Sequence, residues 1–263
     1  MNLFEAAAQK ALSMYEDLND IVLDWSKLDD FSDINFLTIL RRNTRTVPVK
    51  EFLAKFGKSV EQFQKKVLTN SPGWFAVINH DMITAEEELH AMKSGLYFFL
   101  LAAALQPSIL ANLVGILCLP PHFEVPAKFS DFDFCVFDDM TYTGMQVLDT
   151  MQAISSDRKH LVCAFLGQGG SDVLEQAGIE VICQETIPKF EMYEPSRKLT
   201  VDYKYDAYPI AFSHKIADKL SSFPEVYEKI VGSKITPPYR DVGKYSYYTY
   251  LVNDVVKSYV TSA

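Results

Sequence analysis

The chain has 263 residues, a formal net charge of −9 and 48% hydrophobic residues. That size buries a sizeable core without disulfides or a structural metal, and the apolar fraction excludes a disordered chain. The acidic balance argues against a protein that coats nucleic acid or an anionic membrane with its whole surface.

Residues 1–70 read as a helical region. Leu3, Ala7, Ala11, Met14, Leu18 and Ile21 follow helical spacing, and Phe52, Phe56, Val60, Phe63 and Val67 do so again. Residues 1–40 carry a net −6 and residues 41–66 a net +6. Pairing between adjacent helices is the simplest role for these charges. The functional alternative is a basic patch at Arg41, Arg42 and Arg45 for a phosphate or an acidic partner.

Ser71-Pro72-Gly73 breaks the pattern. Strands are then expected at 74–78, 113–119, 132–137, 161–166 and 179–183. Helices are expected at 85–105, 145–154 and 172–177. Runs apolar on both faces, alternating with helices, indicate an α/β fold with a mostly parallel sheet flanked by helices. This core spans 71–190. No residue from Gly95 to Pro121 is charged, a length that could cross a bilayer. Gln106, Pro107, Ser108 and Asn112 interrupt it. A buried helix at 95–105 followed by a buried strand is therefore the simpler reading, with no membrane span.

Residues 191–263 form an irregular, aromatic-rich extension packed on the core. Helices are expected at 214–222, 224–231 and 250–260. The tyrosine-rich stretch 193–208 suits either a lid or a loop packed by its own aromatics. His214, Lys215 and Asp218 fall on one turn of the first of these helices, where capping or an i,i+4 pair explains them.

Cys118, Cys135, Cys163 and Cys183 sit in apolar strand-like runs without metal-ligand spacing. They read as reduced, buried hydrophobes in a cytoplasmic protein. No zinc-protease, nucleophile-elbow or Walker pattern appears, and no resident metal ligands are assigned. Asp138-Asp139 also lacks the Asp-x-Asp-x-Thr spacing of haloacid-dehalogenase phosphatases.

The informative stretch is Phe134-Cys135-Val136-Phe137-Asp138-Asp139-Met140-Thr141-Tyr142-Thr143-Gly144-Met145. A buried strand ends in two carboxylates. A short Thr/Gly loop follows and leads into an apolar-periodic helix. Ligands of parallel sheets bind at the carboxyl ends of strands, and a loop opening a helix offers N–H groups to phosphate. The plain alternative is an ordinary strand-loop-helix connection with solvated acids.

This stretch resembles the signature of the type I phosphoribosyltransferases: four apolar residues, two acids, two or three variable residues, then Thr-Gly and a small residue opening a helix. The resemblance implies that Asp138 and Asp139 act at the ribose hydroxyls of phosphoribosyl pyrophosphate (PRPP). It implies that Thr141, Tyr142, Thr143 and Gly144 grip the 5′-phosphate. A second loop, for pyrophosphate, falls either at Asn79-His80-Asp81 or at Lys93-Ser94-Gly95. Gly167–Asp172 opens another helix at the same sheet edge, either near the ligand or as a tight connection. The implied activity is magnesium-dependent phosphoribosyl transfer to a nitrogen acceptor, with release of pyrophosphate. The expected partner is thus a phosphorylated sugar or nucleotide, and the family's habit adds a homodimer. Tyr142, Met145 and Gln146 depart from the family's small residues, and a large side chain would narrow or cover the loop. The alternative expectation is therefore a catalytically altered scaffold that binds nucleotide or phosphate and regulates or bridges partners.

Overall fold

The computed structural model describes residues 3–28, 38, 41–79, 94–119, 129–152, 154–188, 210–215 and 224–232. Its strands are β1 (Arg45–Val47), β2 (Trp74–Asn79), β3 (Leu113–Leu119), β4 (Asp133–Thr141), β5 (Lys159–Gly167), β6 (Ile179–Ile182), β7 (Glu185–Ile187) and β8 (Ile210–Phe212). Its helices are α1 (Leu3–Glu16), α2 (Val49–Lys66), α3 (Ser94–Leu105), α4 (Met145–Met151), α5 (Gln168–Gln176) and α6 (Pro224–Val231).

The main sheet is parallel and runs β3-β2-β4-β5-β6, with β7 pairing the end of β5 beyond β6. Chain progression changes direction between β2 and β4. In open α/β sheets the ligand crevice lies outside the carboxyl ends of strands at such a reversal. The topology therefore marks the ends of β2 and β4, independently of any motif.

Side chains alternate across the strands, as the pleat requires. Cys135, Phe137, Val162 and Ala164 face a core shared with α1, α2 and α3. Phe134, Val136, Leu161 and Cys163 face Val147, Met151 and Leu174 of α4 and α5. The fold is thus a three-layer α/β/α arrangement, with α1 packed on α3 as a further layer. That extra cover explains the charge-free segment. Every residue from Leu96 to Ala104 is buried, because the sheet lies on one side of α3 and α1 on the other. Tyr97 donates its hydroxyl hydrogen to the Ala11 carbonyl at 3.0 Å, tying the two helices together. Among the described residues no helix is long and apolar enough to cross a membrane.

At the opposite end of the sheet, Asp133 accepts two bonds from Arg158, at 3.2 and 2.7 Å, and lies 2.8 Å from His160. Burial would raise the Asp133 carboxyl. Hydrogen bonds from His160 and Arg158 overcome that and lower it. This cluster joins the starts of β4 and β5 and leaves the crevice end untouched.

Several expectations are corrected. β4 does not stop at Phe137: pairing with β5 continues through Asp138–Cys163, Met140–Phe165 and Thr141–Leu166, so both acids lie within the strand. α5 begins at Gln168, directly after β5, so Gly169 and Gly170 are helical residues. The region before residue 70 contains a strand, β1, which pairs in parallel with β8. Residues 210–215 form β8 and a bend, where the carbonyl of Lys215 accepts the Phe212 N–H at 2.9 Å; no helix begins at His214. The remainder of the expected helix 214–222, from residue 216, the expected helix 250–260, the stretch 193–208, and residues 80–93 lie outside the described residues.

The charge segments also pair differently. Among the described residues, Arg45 bonds Glu51 and Glu185, Lys55 meets Glu185 at 2.9 Å, Lys65 pairs with Glu61 and Lys66 with Glu180. These four basic residues thus serve α2 and the far edge of the sheet. From the acidic segment, Asp20 accepts the Val49 N–H at 2.7 Å and caps α2.

Candidate functional site

β4 carries Asp138 and Asp139 to the carboxyl end of the sheet. Neighbours on a strand point to opposite faces. Asp139 shares the side of Cys135 and Phe137, toward the helical layer, and is 0% exposed. Asp138 shares the side of Phe134 and Val136 and is half-buried. The two carboxylates are therefore unequal.

Asp139 is enclosed by charge partners. Its Oδ1 lies 2.8 Å from Lys215 Nζ, and its Oδ2 lies 2.6 Å from His214 Nε2. His214, also 0% exposed, has its Nδ1 2.8 Å from the Tyr15 hydroxyl of α1. The imidazole is wedged among Tyr15, Phe52, Phe98 and Phe212, with ring centroids 5.0–5.6 Å away. Burial lowers the His214 pKa despite its carboxylate partner, which favours the neutral ring. A carboxylate only accepts, so Nε2–H donates to Asp139 and Nδ1 accepts from Tyr15.

Burial alone would raise Asp139. The Lys215 ammonium and the His214 hydrogen bond overcome it and hold the carboxyl well below the usual carboxylate range. Asp138 is pushed the other way. Burial raises it, the Asp139 charge adds to the rise, and Lys215 opposes both. Asp138 Oδ1 accepts the Asp139 N–H at 2.9 Å.

The loop after β4 is shaped from within. Thr141 Oγ1 accepts the Gly144 N–H at 3.1 Å, and Thr143 Oγ1 the Met145 N–H at 3.4 Å. Gly144 takes φ +71°, a left-handed value that favours glycine, before the seven-residue α4. Gly167 and Gly170 let the loop pack tightly: a Cβ would lie 2.5 Å from the Tyr142 carbonyl oxygen at the first and 2.7 Å at the second. Tyr142 itself turns to β8, where its hydroxyl oxygen accepts the Ile210 N–H at 3.0 Å. Its ring packs against the core shared with α1–α3.

The structure thus brings Asp138, Asp139 and Thr141–Gly144 together at the reversal of the sheet. Ser94 and Gly95 open α3 at the same end; a Cβ on Gly95 would lie 3.8 Å from the Phe137 carbonyl oxygen. Lys93, His80 and Asp81 lie outside the described residues. Arg45 is engaged by its two glutamates. Cys135 and Cys163 are buried with thiols pushed well up by burial, and no disulfide joins them. Among the described residues no three His, Cys, Asp or Glu side chains converge as a metal-binding set.

Sequence reasoning missed Tyr15, His214 and Lys215 as members of this site. They come from residues 15 and 214–215 and meet at residue 139, which no local periodicity encodes. The one usable signal is the apolar triplet Ile210-Ala211-Phe212, separated from His214 by Ser213 alone. Compared with known proteins, the chain matches no family model and no curated sequence.

Proposed function

We propose that this chain binds PRPP at the carboxyl ends of β2 and β4 and transfers its phosphoribosyl group to a nitrogen acceptor, in the manner of the type I phosphoribosyltransferases. The observation that carries this reading is a coincidence of two independent signals. The acid-acid-loop motif lies where, among the described strands, the strand order reverses.

Asp138 would accept the ribose hydroxyls. The loop Thr141–Gly144, held open by its threonine bonds, would take the 5′-phosphate through its remaining amides and hydroxyls. Tyr142 does not oppose this, because its hydroxyl is engaged on β8. Ser94 and Gly95, at the start of α3, lie on the side left for pyrophosphate. In the reaction the acceptor nitrogen bonds to C1 of the sugar as the C1–oxygen bond to pyrophosphate breaks, and the nitrogen loses its proton. The enclosing loop and strand would exclude water from the sugar.

The magnesium in this reading belongs to the substrate, held by the diphosphate oxygens of PRPP and by water, and no described side chain is assigned to it. It would arrive with the diphosphate and neutralise charge on it when bound. Asp139 is taken up by Lys215 and His214.

The test is calorimetric titration with PRPP–Mg²⁺, followed by assay of pyrophosphate release over a panel of nitrogen acceptors. Saturable binding with acceptor-dependent release is expected. Binding without release from any acceptor would replace transfer with a binding role, and no binding by a folded sample would remove the reading.

A further inference from the structure

We infer that the two aspartates have separate duties: Asp138 is the ligand-facing carboxylate, while Asp139 is a buried anchor for His214 and Lys215, which with Tyr15 behind them are positioning residues of the site. This rests on the ligand site proposed above and deepens it, because it adds a segment that the motif does not contain.

Geometry carries the division. Asp139 is 0% exposed and each of its oxygens has a cationic or N–H partner within 2.8 Å. With no exposed surface and both oxygens engaged, Asp139 offers a ligand hydroxyl no approach. Asp138 keeps partial exposure, and one of its oxygens is set by the Asp139 amide. The same bend, Ser213–Lys215, follows β8, whose Ile210 amide grips Tyr142 in the phosphate loop. One six-residue segment, 210–215, therefore touches the strand carrying the acids and the loop that follows it. Ser213 Oγ, between those contacts, is buried without a hydrogen-bond partner among the described residues.

The electrostatics agree. Among the described residues, the titratable groups acting on this pair are Asp138 and Asp139 on β4, Cys163 on β5, His214 and Lys215 after β8, and Tyr15 on α1. Only Lys215 is a cation there when His214 is neutral. Its side chain is 17% exposed and acts on both carboxylates. It neutralises Asp139 and eases ionisation of Asp138, the state that best accepts two hydroxyls. Lys215 therefore sets the pH above which the site binds. A purely structural lysine would lower stability without moving that pH.

The experiment uses the full chain. Carboxyl-carbon NMR between about pH 5 and pH 9 is expected to show Asp138 titrating above the ordinary carboxylate range and Asp139 staying ionised throughout. Ribose 5-phosphate is then titrated calorimetrically over the same range. Its affinity should rise through the Asp138 midpoint. Lys215→Met should move both midpoints up by about one pH unit and bring His214 into titration, and Lys215→Arg should restore them. Asp139 titrating in place of Asp138, or a midpoint that ignores Lys215→Met in a folded sample, would overturn the inference. The wild-type NMR arm needs neither variant nor ligand. Failure of ribose 5-phosphate to bind, with the carboxyl titrations as expected, would remove the ligand reading and leave the division of the acids standing.

Discussion

Gly144, Gly167 and Gly178 separate two reasons for glycine at single positions. Gly178 has φ +70° with open space around its Cα, so alanine there should cost only about 1–2 kcal/mol of backbone strain. At Gly144 the same strain is joined by a Cβ 2.8 Å from Leu174 Cγ, and at Gly167 the obstacle is backbone, the Tyr142 oxygen at 2.5 Å. Urea unfolding of Gly144→Ala should therefore show a larger loss than Gly178→Ala. Gly167→Ala should lose about 1–3 kcal/mol and also weaken ribose 5-phosphate, because the loop must shift. Asp139 makes a second case at this scale. Asp139→Ala would leave His214 buried without its acceptor and Lys215 without its counter-charge. Breaking a buried pair from one side costs about 3–5 kcal/mol, measurable as a reduced denaturation midpoint.

Among the elements, the short parallel pair β1–β8 does more than its three residue pairs suggest. It brings a distant segment across the helical layer to the end of β4. The Tyr142 hydroxyl is the tie between that segment and the loop. Tyr142→Phe keeps the ring packing and removes the acceptor of the Ile210 amide. An unsatisfied buried amide costs about 1–3 kcal/mol, so unfolding should show a loss of that order. A loss near zero would mean that water replaces the phenol. The long strands of the sheet were legible in the sequence because β2, β3, β4 and β5 have runs that are apolar on both faces. β1, β7 and β8 have three residues each, too few for any period to register. Asp138 and Asp139 look like the end of a strand, which hides the last residues of β4. In the fold Asp139 is neutralised by partners far away in sequence, so charge does not stop the strand.

For the whole molecule, pH dependence follows from the buried groups. The His214 pKa is lowered in the folded state, so the native ring refuses a proton that the unfolded ring accepts. Stability should therefore fall as pH drops below about 6.5. Asp133 and Asp139 are depressed, so they add a further loss at lower pH, as it falls below about 4 toward their folded values. Asp138 is raised, so its contribution has the opposite sign: stability is lost as pH rises through its folded value. In Asp138→Asn, which removes that opposing contribution, urea midpoints measured between about pH 7.5 and pH 5 should decline, and adding His214→Gln should flatten that decline. The acid-acid-loop part of the site was legible as a motif, and its place at the sheet reversal follows from strand order. The His214–Lys215–Tyr15 part was not, because long-range burial creates it. A histidine and a lysine in a polar stretch read as surface until a strand carries them inward.

The account stands on Asp138 and its loop forming a ribose-phosphate site. The most direct measurement is calorimetric titration of ribose 5-phosphate into the wild type and Asp138→Asn at one pH above the Asp138 midpoint. Saturable one-to-one binding that weakens at least about tenfold in Asp138→Asn, roughly one charge-assisted hydrogen bond, is the expected result. Equal affinity in the two folded proteins, or no binding by either, would contradict it.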